Sequence, residues 1–311
     1  GYRGSYRSSG GVEALEVRFL GTGGSIPTGF RASPSVIVRR EGELLMFDCG
    51  EGTQTRMAAC GLGLNNPMRI FITHMHGDHV LGLPGLLMSM SLLGRRRELE
   101  IYGPPGIREF LESIGRVLGF DLKFPIGVKE VSGGEVVRGR GYRVLAECAE
   151  HGIPCNAFSL EEEARRVFLP ERAMELGVPK GPLWKELQLG RAVNVNGRVV
   201  EPSQVLGEPK RGKKIVYASD TRPSKPIINL SRGADLLIHD STFDDSRAKE
   251  AEEYGHSTAS EAASVAKGAG VGALVLFHLS PMYRDPAPLL LQAKQIFPNS
   301  MVAYDSMALE L

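Results

Sequence analysis

The sequence predicts an α/β fold: two α/β halves stack their sheets as a sandwich, cover them with helices, and carry an arm inserted between the halves. Two observations predict it. Short apolar runs of strand length, bounded by Gly or Pro, alternate with runs of helix length along most of the chain. One stretch, about residues 158–200, breaks that rhythm: it is charged, has little apolar content, and is punctuated by Pro170, Pro179 and Pro182. The 311 residues suffice for one large domain, expected over 15–311.

The elements follow in order. "LEVRFLG" from Leu15 and "SPSVIVRREGELLMFDCG" read as strands because β-branched and apolar residues alternate between glycines. "MRIFITH" is a short strand running into a histidine loop, and "GLPGLLMSMSLLG" is a helix with Pro near its start. "ELEIYGPPG" is a strand ending in a turn, "IREFLESIGRVLG" an amphipathic helix closed by Gly119, and "GYRVLAECAEHGIP" a strand ending at another histidine. After the arm the pattern returns with the strand "KKIVYASDTRP" and then "ADLLIHDSTF". A helix opened by "HSTASEAASVAKGAG" follows, then the strand "ALVLFHLS" and a final helix "APLLLQAKQIF". Thr258 and Glu261 have the spacing of a capping box.

Composition limits the function classes. The chain is 42% hydrophobic and 23% charged, as expected of a globular protein, and no apolar run approaches the length of a membrane span. Lys+Arg exceeds Asp+Glu by 37 − 36 = 1, so there is no global basic field. A nucleic-acid partner would need local clusters, and "RRR" at 95–97, Arg165–Arg166 and "KRGKK" at 210–214 are candidates that could equally be solvated charge. Residues 1–14 open with "GYRGSYRSSGG", which has no apolar core of a secretory signal and is expected to be a disordered tail. Four scattered cysteines (Cys49, Cys60, Cys148, Cys155) without a CxxC pair suggest reduced thiols and a cytoplasmic location.

The chemistry concentrates in "FITHMHGDHVLGLPG", residues 71–85, which holds three of the seven histidines. In an extended segment residues two apart point the same way, so His74 and His76 can grip one ion. Asp78 and His79 diverge from that pair and suit a second. More ligands are available where strands end: His151 for the first ion, His278 for the second, and Asp220 as a carboxylate with two oxygens to share between them. Imidazole and carboxylate donors with room for a water suit zinc, with manganese or iron possible. "LGTGGS" at 20–25 lacks the GK[ST] of a phosphate loop and is a tight turn.

"THMHGDH" is the HxHxDH signature of the metallo-β-lactamase superfamily. Together with "GEGTQTRM", "GLPGLL", "ASDTRP", "GHSTASEAA" and "LFHLS" it resembles one branch, the ribonuclease Z family of tRNA 3′-processing endonucleases, in order and spacing from about Leu15 to the C-terminus. The resemblance implies an αββα metallo-β-lactamase sandwich with a protruding arm and two Zn2+ per subunit (Mn2+ or Fe possible). It implies His74, His76, His151 and Asp220 on one ion, and Asp78, His79, Asp220 and His278 on the other. It further implies Asp78 as proton acceptor, His256 at the leaving group supported by Asp240, and Asp48 bracing the metal loop.

The implied activity is removal of the 3′ trailer from precursor tRNA, leaving a tRNA 3′-hydroxyl and a 5′-phosphorylated trailer. The arm, with "GVPKGPLWKELQLG", would grip the tRNA through Lys180, Lys185 and Arg191, and a homodimer without membrane association is implied. Two departures stand out. The family's Pro-x-Lys-x-Arg-Asn loop is "PTGFRAS" here, keeping Pro27 and Arg31, and its His-Glu-Ala-Thr stretch is "HDST", with Asp240 one methylene shorter. The alternative on the same fold is a hydrolase of small phosphodiesters.

Overall fold

A computed structural model describes residues 15–311, so the expected tail at 1–14 lies outside the described residues. The chain forms two compact units: one runs to Glu161 and resumes at Lys213, and the other comprises Glu162–Gly212.

The larger unit holds two seven-stranded sheets among the described residues. In the first, β1 (Glu16–Gly21), β2 (Ser35–Arg40), β3 (Glu43–Phe47), β4 (Met68–Phe71), β5 (Leu99–Gly103) and β6 (Ile126–Glu130) lie side by side in sequence order. The second runs from β7 (Gly134–Gly139) through β8 (Tyr142–Ala149) and β9 (Cys155–Glu162). The second unit contributes β10 (Arg165–Phe168), β11 (Val193–Val195), β12 (Arg198–Val200) and β13 (Leu206–Lys210), paired only among themselves. Beyond β9 the second large sheet continues with β14 (Lys214–Ala218), β15 (Leu236–Asp240), β16 (Ala273–Phe277) and β17 (Ser300–Val302). The chain ends in β18 (Ala308–Glu310), which returns to flank β1 in the first sheet.

Alternation along each strand builds the layers. Val36, Val38, Leu45, Phe47 and Phe71 from one sheet meet Phe158, Leu160, Tyr217, Ile238 and Phe277 from the other in a shared buried cluster. Their strand neighbours point away: Ile37, Met46 and Ile70 pack against the helix Gly82–Leu92, while Val216, Leu237 and Leu276 pack against Ala259–Ala269. A period of two on strands, with an apolar residue on both faces, therefore gives helix, sheet, sheet, helix.

Helix ends follow the sequence signals. Gly119 closes Ile107–Leu118 in the left-handed region at φ 61°. Thr258 accepts from the Glu261 N–H while Glu261 accepts from the Thr258 N–H, the reciprocal box that opens Ala259–Ala269.

Two expectations are corrected. Residues 158–161 belong to β9, a strand buried from Cys155 to Leu160 and paired antiparallel with β14, and the second unit extends to Gly212 rather than ending near 200. The charged "EEE" masks the strand, whose buried Asn156 and Ser159 do not read as core. Second, "RRR" at 95–97 is not a uniform surface cluster. Arg95 is 1% exposed and donates to the carbonyls of Leu64, Asn66, Arg97 and Glu98, with the Phe124 ring beneath it. It is a staple for the loops below β4 and β5.

Replacing Arg95 takes away the one guanidinium that bonds all four carbonyls. Arg95→Ala is expected to lower unfolding stability by about 3 kcal/mol, read as a lower denaturant midpoint at unchanged slope; a shift within error would show that the loops hold without it.

Candidate metal centre

The chemistry-bearing residues come together where strands of both sheets end. Asp48 follows β3, His74 follows β4, Asp220 follows β14, Asp240 ends β15 and His278 follows β16. Pairing within β3–β4 and within β14–β15–β16 is parallel, so these carboxyl ends share one edge of each sheet. His151 arrives from the turn after β8, and His256 from the loop before Ala259–Ala269.

Two sets of donor atoms result. His74, His76, His151 and Asp220 each place one ligand atom within 4.8 Å of the others, and so do Asp78, His79 and His278. In the first set, His74 Nε2 is 3.0 Å from His76 Nδ1 and 3.6 Å from Asp220 Oδ2; His151 Nε2 is 3.3 Å from His76 Nδ1. In the second, Asp78 Oδ2 is 3.4 Å from both His79 Nε2 and His278 Nε2. Asp220 Oδ1 lies 3.3 Å from His79 Nε2 and 3.4 Å from His278 Nε2. One oxygen of Asp220 thus faces each set. Four donors about 2.0–2.1 Å from a common tetrahedral centre stand about 3.3–3.4 Å apart, which is the spacing seen here. His79 Nε2 is buried and has no hydrogen-bond partner, as suits a nitrogen whose lone pair serves a metal ion. The residues fit a divalent metal.

The opposite edge of the His74, His79, His151 and His278 rings is held. His151 Nδ1 donates to the Gly255 carbonyl at 2.9 Å, which leaves Nε2 with its lone pair toward the cluster. His79 Nδ1 lies 2.8 Å from Asp48 Oδ2, His74 Nδ1 lies 2.9 Å from Thr73 Oγ1, and His278 Nδ1 lies 3.0 Å from Thr242 Oγ1. Asp48 is fully buried with φ 58°, and also accepts from the Thr73 N–H and the Tyr217 hydroxyl, both at 2.8 Å. His278 shares the left-handed backbone at φ 58° and packs so tightly that a Cβ on Gly24 would sit 2.5 Å from its ring. That glycine is required by contact. Asp78 is fixed by the Ser25 N–H at 2.8 Å.

The electrostatics favour a cation. Burial opposes charge on Asp220, yet His278 and His79 hold its carboxyl well below the usual range, and the same two imidazoles do so for Asp78. Burial and then His79 keep His74 in its neutral, ligating form. Burial would lower His79 as well, but the Asp220 and Asp48 carboxylates outweigh it and raise its pKa. His256 Nδ1 is 2.8 Å from Asp240 Oδ2; against the effect of burial, that carboxylate raises His256 to about 9. Donor atoms of Asp220, His256 and His278 also gather, with the Asp240 carboxylate on His256 Nδ1.

The centre opens on a cleft of about 760 Å³ bordered by Asp78, His151, Asp220, His256, Tyr254 and Met282. His239 lies off it: buried on the helix side of β15, its Nδ1 bonds the Asp240 carbonyl at 2.8 Å. Arg31 is buried too, donating to Thr22 and to the Ala303 carbonyl. Thr73, Tyr217 and Thr242 were not assigned from sequence. Only their position inside the quoted stretches signals them.

The arm residues belong to the second unit, described by itself. Lys185 is exposed on the helix Pro182–Gln188, Lys180 Nζ lies 5.8 Å from the Trp184 ring centre, and Arg191 pairs with Glu186 at 2.6 Å. Trp184 donates to the Val178 carbonyl and packs in this unit's own core, so it anchors the arm's fold. Among the described residues no helix is long and apolar enough to cross a membrane, and the four cysteines are free thiols.

Comparison with known proteins adds the following. The family profile described as "Anti-Pycsar protein Apyc1" matches residues 15–114, and that of the "Beta-lactamase superfamily domain" matches residues 195–279. The chain is 48% identical over 299 residues to the ribonuclease Z of Methanosarcina acetivorans, covering 96% of this chain and 98% of that protein. It is 46% identical over 297 residues to the ribonuclease Z of Methanothermobacter thermautotrophicus, covering 96% and 97%. Among solved structures, the short form of human tRNase Z superposes with TM-score 0.69 at 29% identity, over 94% of this chain and 98% of that one. The metallo-β-lactamase fold protein YhfI of Bacillus subtilis gives TM-score 0.70 at 18% identity, covering 96% and 99%, a likeness of fold.

Asp48 orients His79 without joining either donor set. Asp48→Ala is expected to weaken metal binding about 10–100-fold in a chelator competition assay. Wild-type affinity in a folded variant would remove Asp48 from the support of the centre.

Proposed function

The chain belongs to the ribonuclease Z family, and from that membership we propose that it is a metal-dependent endoribonuclease that cuts the 3′ trailer from precursor tRNA. The products in this reading are a tRNA with a free 3′-hydroxyl and a trailer with a 5′-phosphate. One observation carries it: Asp220 presents Oδ2 to one donor set and Oδ1 to the other, the arrangement of a carboxylate shared by two ions.

His74, His76, His151 and Asp220 hold one ion in this proposal, and Asp78, His79, Asp220 and His278 the other. Nitrogen and oxygen donors at these spacings suit Zn2+, with Mn2+ or Fe compatible by ligand type. Ions held by these residues would supply a water of lowered pKa for attack on phosphorus and positive charge for a non-bridging phosphate oxygen.

The chain's own groups do the rest. Asp78, pinned by the Ser25 N–H, accepts a proton from the attacking water. The leaving ribose oxygen is a poor leaving group until protonated. His256 carries that proton, because the Asp240 carboxylate on Nδ1 favours the charged ring and leaves Nε2 to deliver it. Lys180, Lys185 and Arg191 bind tRNA phosphates, in a homodimer located in the cytoplasm. Excising the second unit is sterically simple: Glu161 and Lys214 are register partners across β9 and β14, so a short linker can join the cut ends.

Metal-loaded protein is expected to cleave a precursor tRNA at the discriminator nucleotide, mapped by end-labelling, and His76→Ala to abolish turnover. A normal rate in that variant would refute the ligand assignment. Replacing 162–212 with a short linker should raise KM for precursor about tenfold or more while sparing hydrolysis of an aryl phosphodiester. Unchanged KM for precursor would favour a hydrolase of small phosphodiesters.

A further inference from the structure

The loop Asp220–Thr221–Arg222 does more than deliver a carboxylate to the metal centre. Each of its residues is bonded to another segment of the site. The Thr221 N–H donates to Asp240 Oδ2 at 3.1 Å, the same oxygen that holds His256 Nδ1 at 2.8 Å. The Thr221 carbonyl accepts the Ser257 hydroxyl at 2.6 Å. The Arg222 N–H donates to the carbonyl of Glu150, the residue before His151, at 2.8 Å.

The Arg222 side chain adds the strongest tie. Its Nη1 donates to the His256 carbonyl and, at 2.7 Å, to Glu261 Oε2, while Nη2 donates to Glu261 Oε1. Glu261 in turn accepts the Thr258 N–H at 2.9 Å as its half of the capping box. The guanidinium is about one-fifth exposed, so this pair is partly shielded from solvent. His256 is therefore held at three points: its ring by Asp240, its N–H by the Ala251 carbonyl at 2.8 Å, and its carbonyl by Arg222. A ring hung on one hydrogen bond still swings with its Cα, and a proton donor displaced by about 1 Å loses on the order of 100-fold in rate. A planar fork satisfies a carbonyl and both carboxylate oxygens together; a lysine reaches one of them.

We infer that Arg222 is a positioning residue for the leaving-group step, clamping the main chain of His256 to the metal-ligand loop so that the imidazole reaches the departing ribose oxygen. This rests on the reading above in which His256 delivers the proton. It predicts an effect that depends on the leaving group. In hydrolysis of precursor tRNA the P–O bond to ribose breaks and the departing oxygen takes the proton from His256. In hydrolysis of bis-p-nitrophenyl phosphate the departing p-nitrophenolate is stable without one.

The test compares single-turnover rates on both substrates for zinc-loaded, full-length protein. Arg222→Ala should lower the rate on precursor about 100-fold with little change in Kd for precursor. Its rate on the aryl diester should stay within about threefold, far less than the loss of a proton donor costs, and Arg222→Lys should fall between. Glu261→Gln, which keeps a capping acceptor, should show the same selectivity more weakly. Two readouts stand apart from activity: bound zinc per subunit should be unchanged, and the Thr258 amide should exchange faster with deuterium. Equal losses on both substrates, loss of zinc, or an undiminished precursor rate would each overturn the inference. His256→Ala separates the two readings. If it is selective for precursor and Arg222→Ala is not, the Arg222 inference alone fails; if it shows no selectivity, proton delivery by His256 fails.

Discussion

The structure depends on one carboxylate serving two clusters. Asp220 is 2% exposed and lies within 4 Å of nitrogens from His74, His79, His151, His256 and His278. Collecting imidazoles and carboxylates out of water costs several kcal/mol per charge unless each is compensated. The compensation here comes in two forms. Nδ1 of each ring outside His76 is bonded to a carbonyl, hydroxyl or carboxylate, and the inward donors are spaced for cations. The strained backbone at Asp48 and His278 belongs to the same arrangement, since each must turn its side chain inward just after a strand ends.

The sandwich supplies the rigidity that such placement needs. Below the donors, Phe47, Phe71, Tyr102, Phe158 and Tyr217 pack ring against ring between the sheets, stacked or tilted, with centroids 5.2 to 6.0 Å apart. Tyr217 joins core to site directly: its ring packs on Phe47 and its hydroxyl reaches Asp48. A movement of the core is thereby a movement of His79. Function in this molecule sits on strand ends whose positions are fixed by apolar packing, with turns supplying only the last few residues.

Much of this was legible in the sequence, for physical reasons. His74, His76, Asp78 and His79 are close in the chain, so their geometry follows from a strand end and one helical turn, and His151, Asp220 and His278 each follow a recognisable apolar strand. Spacing and strand ends alone set His151 with the first pair, His278 with the second and Asp220 between them, and the resemblance to the family implies the same grouping. What stayed hidden depends on long-range contact. Strand β9 hides behind its polar residues because Asn156 is satisfied only by the carbonyl of distant Val131. Arg95 reads as surface charge until four carbonyls from separate loops surround it. Thr242 and Arg222 sat inside quoted motifs without a role, since what they do is to bond segments far apart in sequence.

The most direct test of the central claim is anomalous X-ray diffraction from crystals of the zinc-loaded protein, recorded on either side of the zinc edge. The account predicts two peaks per subunit about 3.5–4 Å apart, one on each side of the Asp220 carboxylate. A single peak, or peaks away from Asp220, would contradict it.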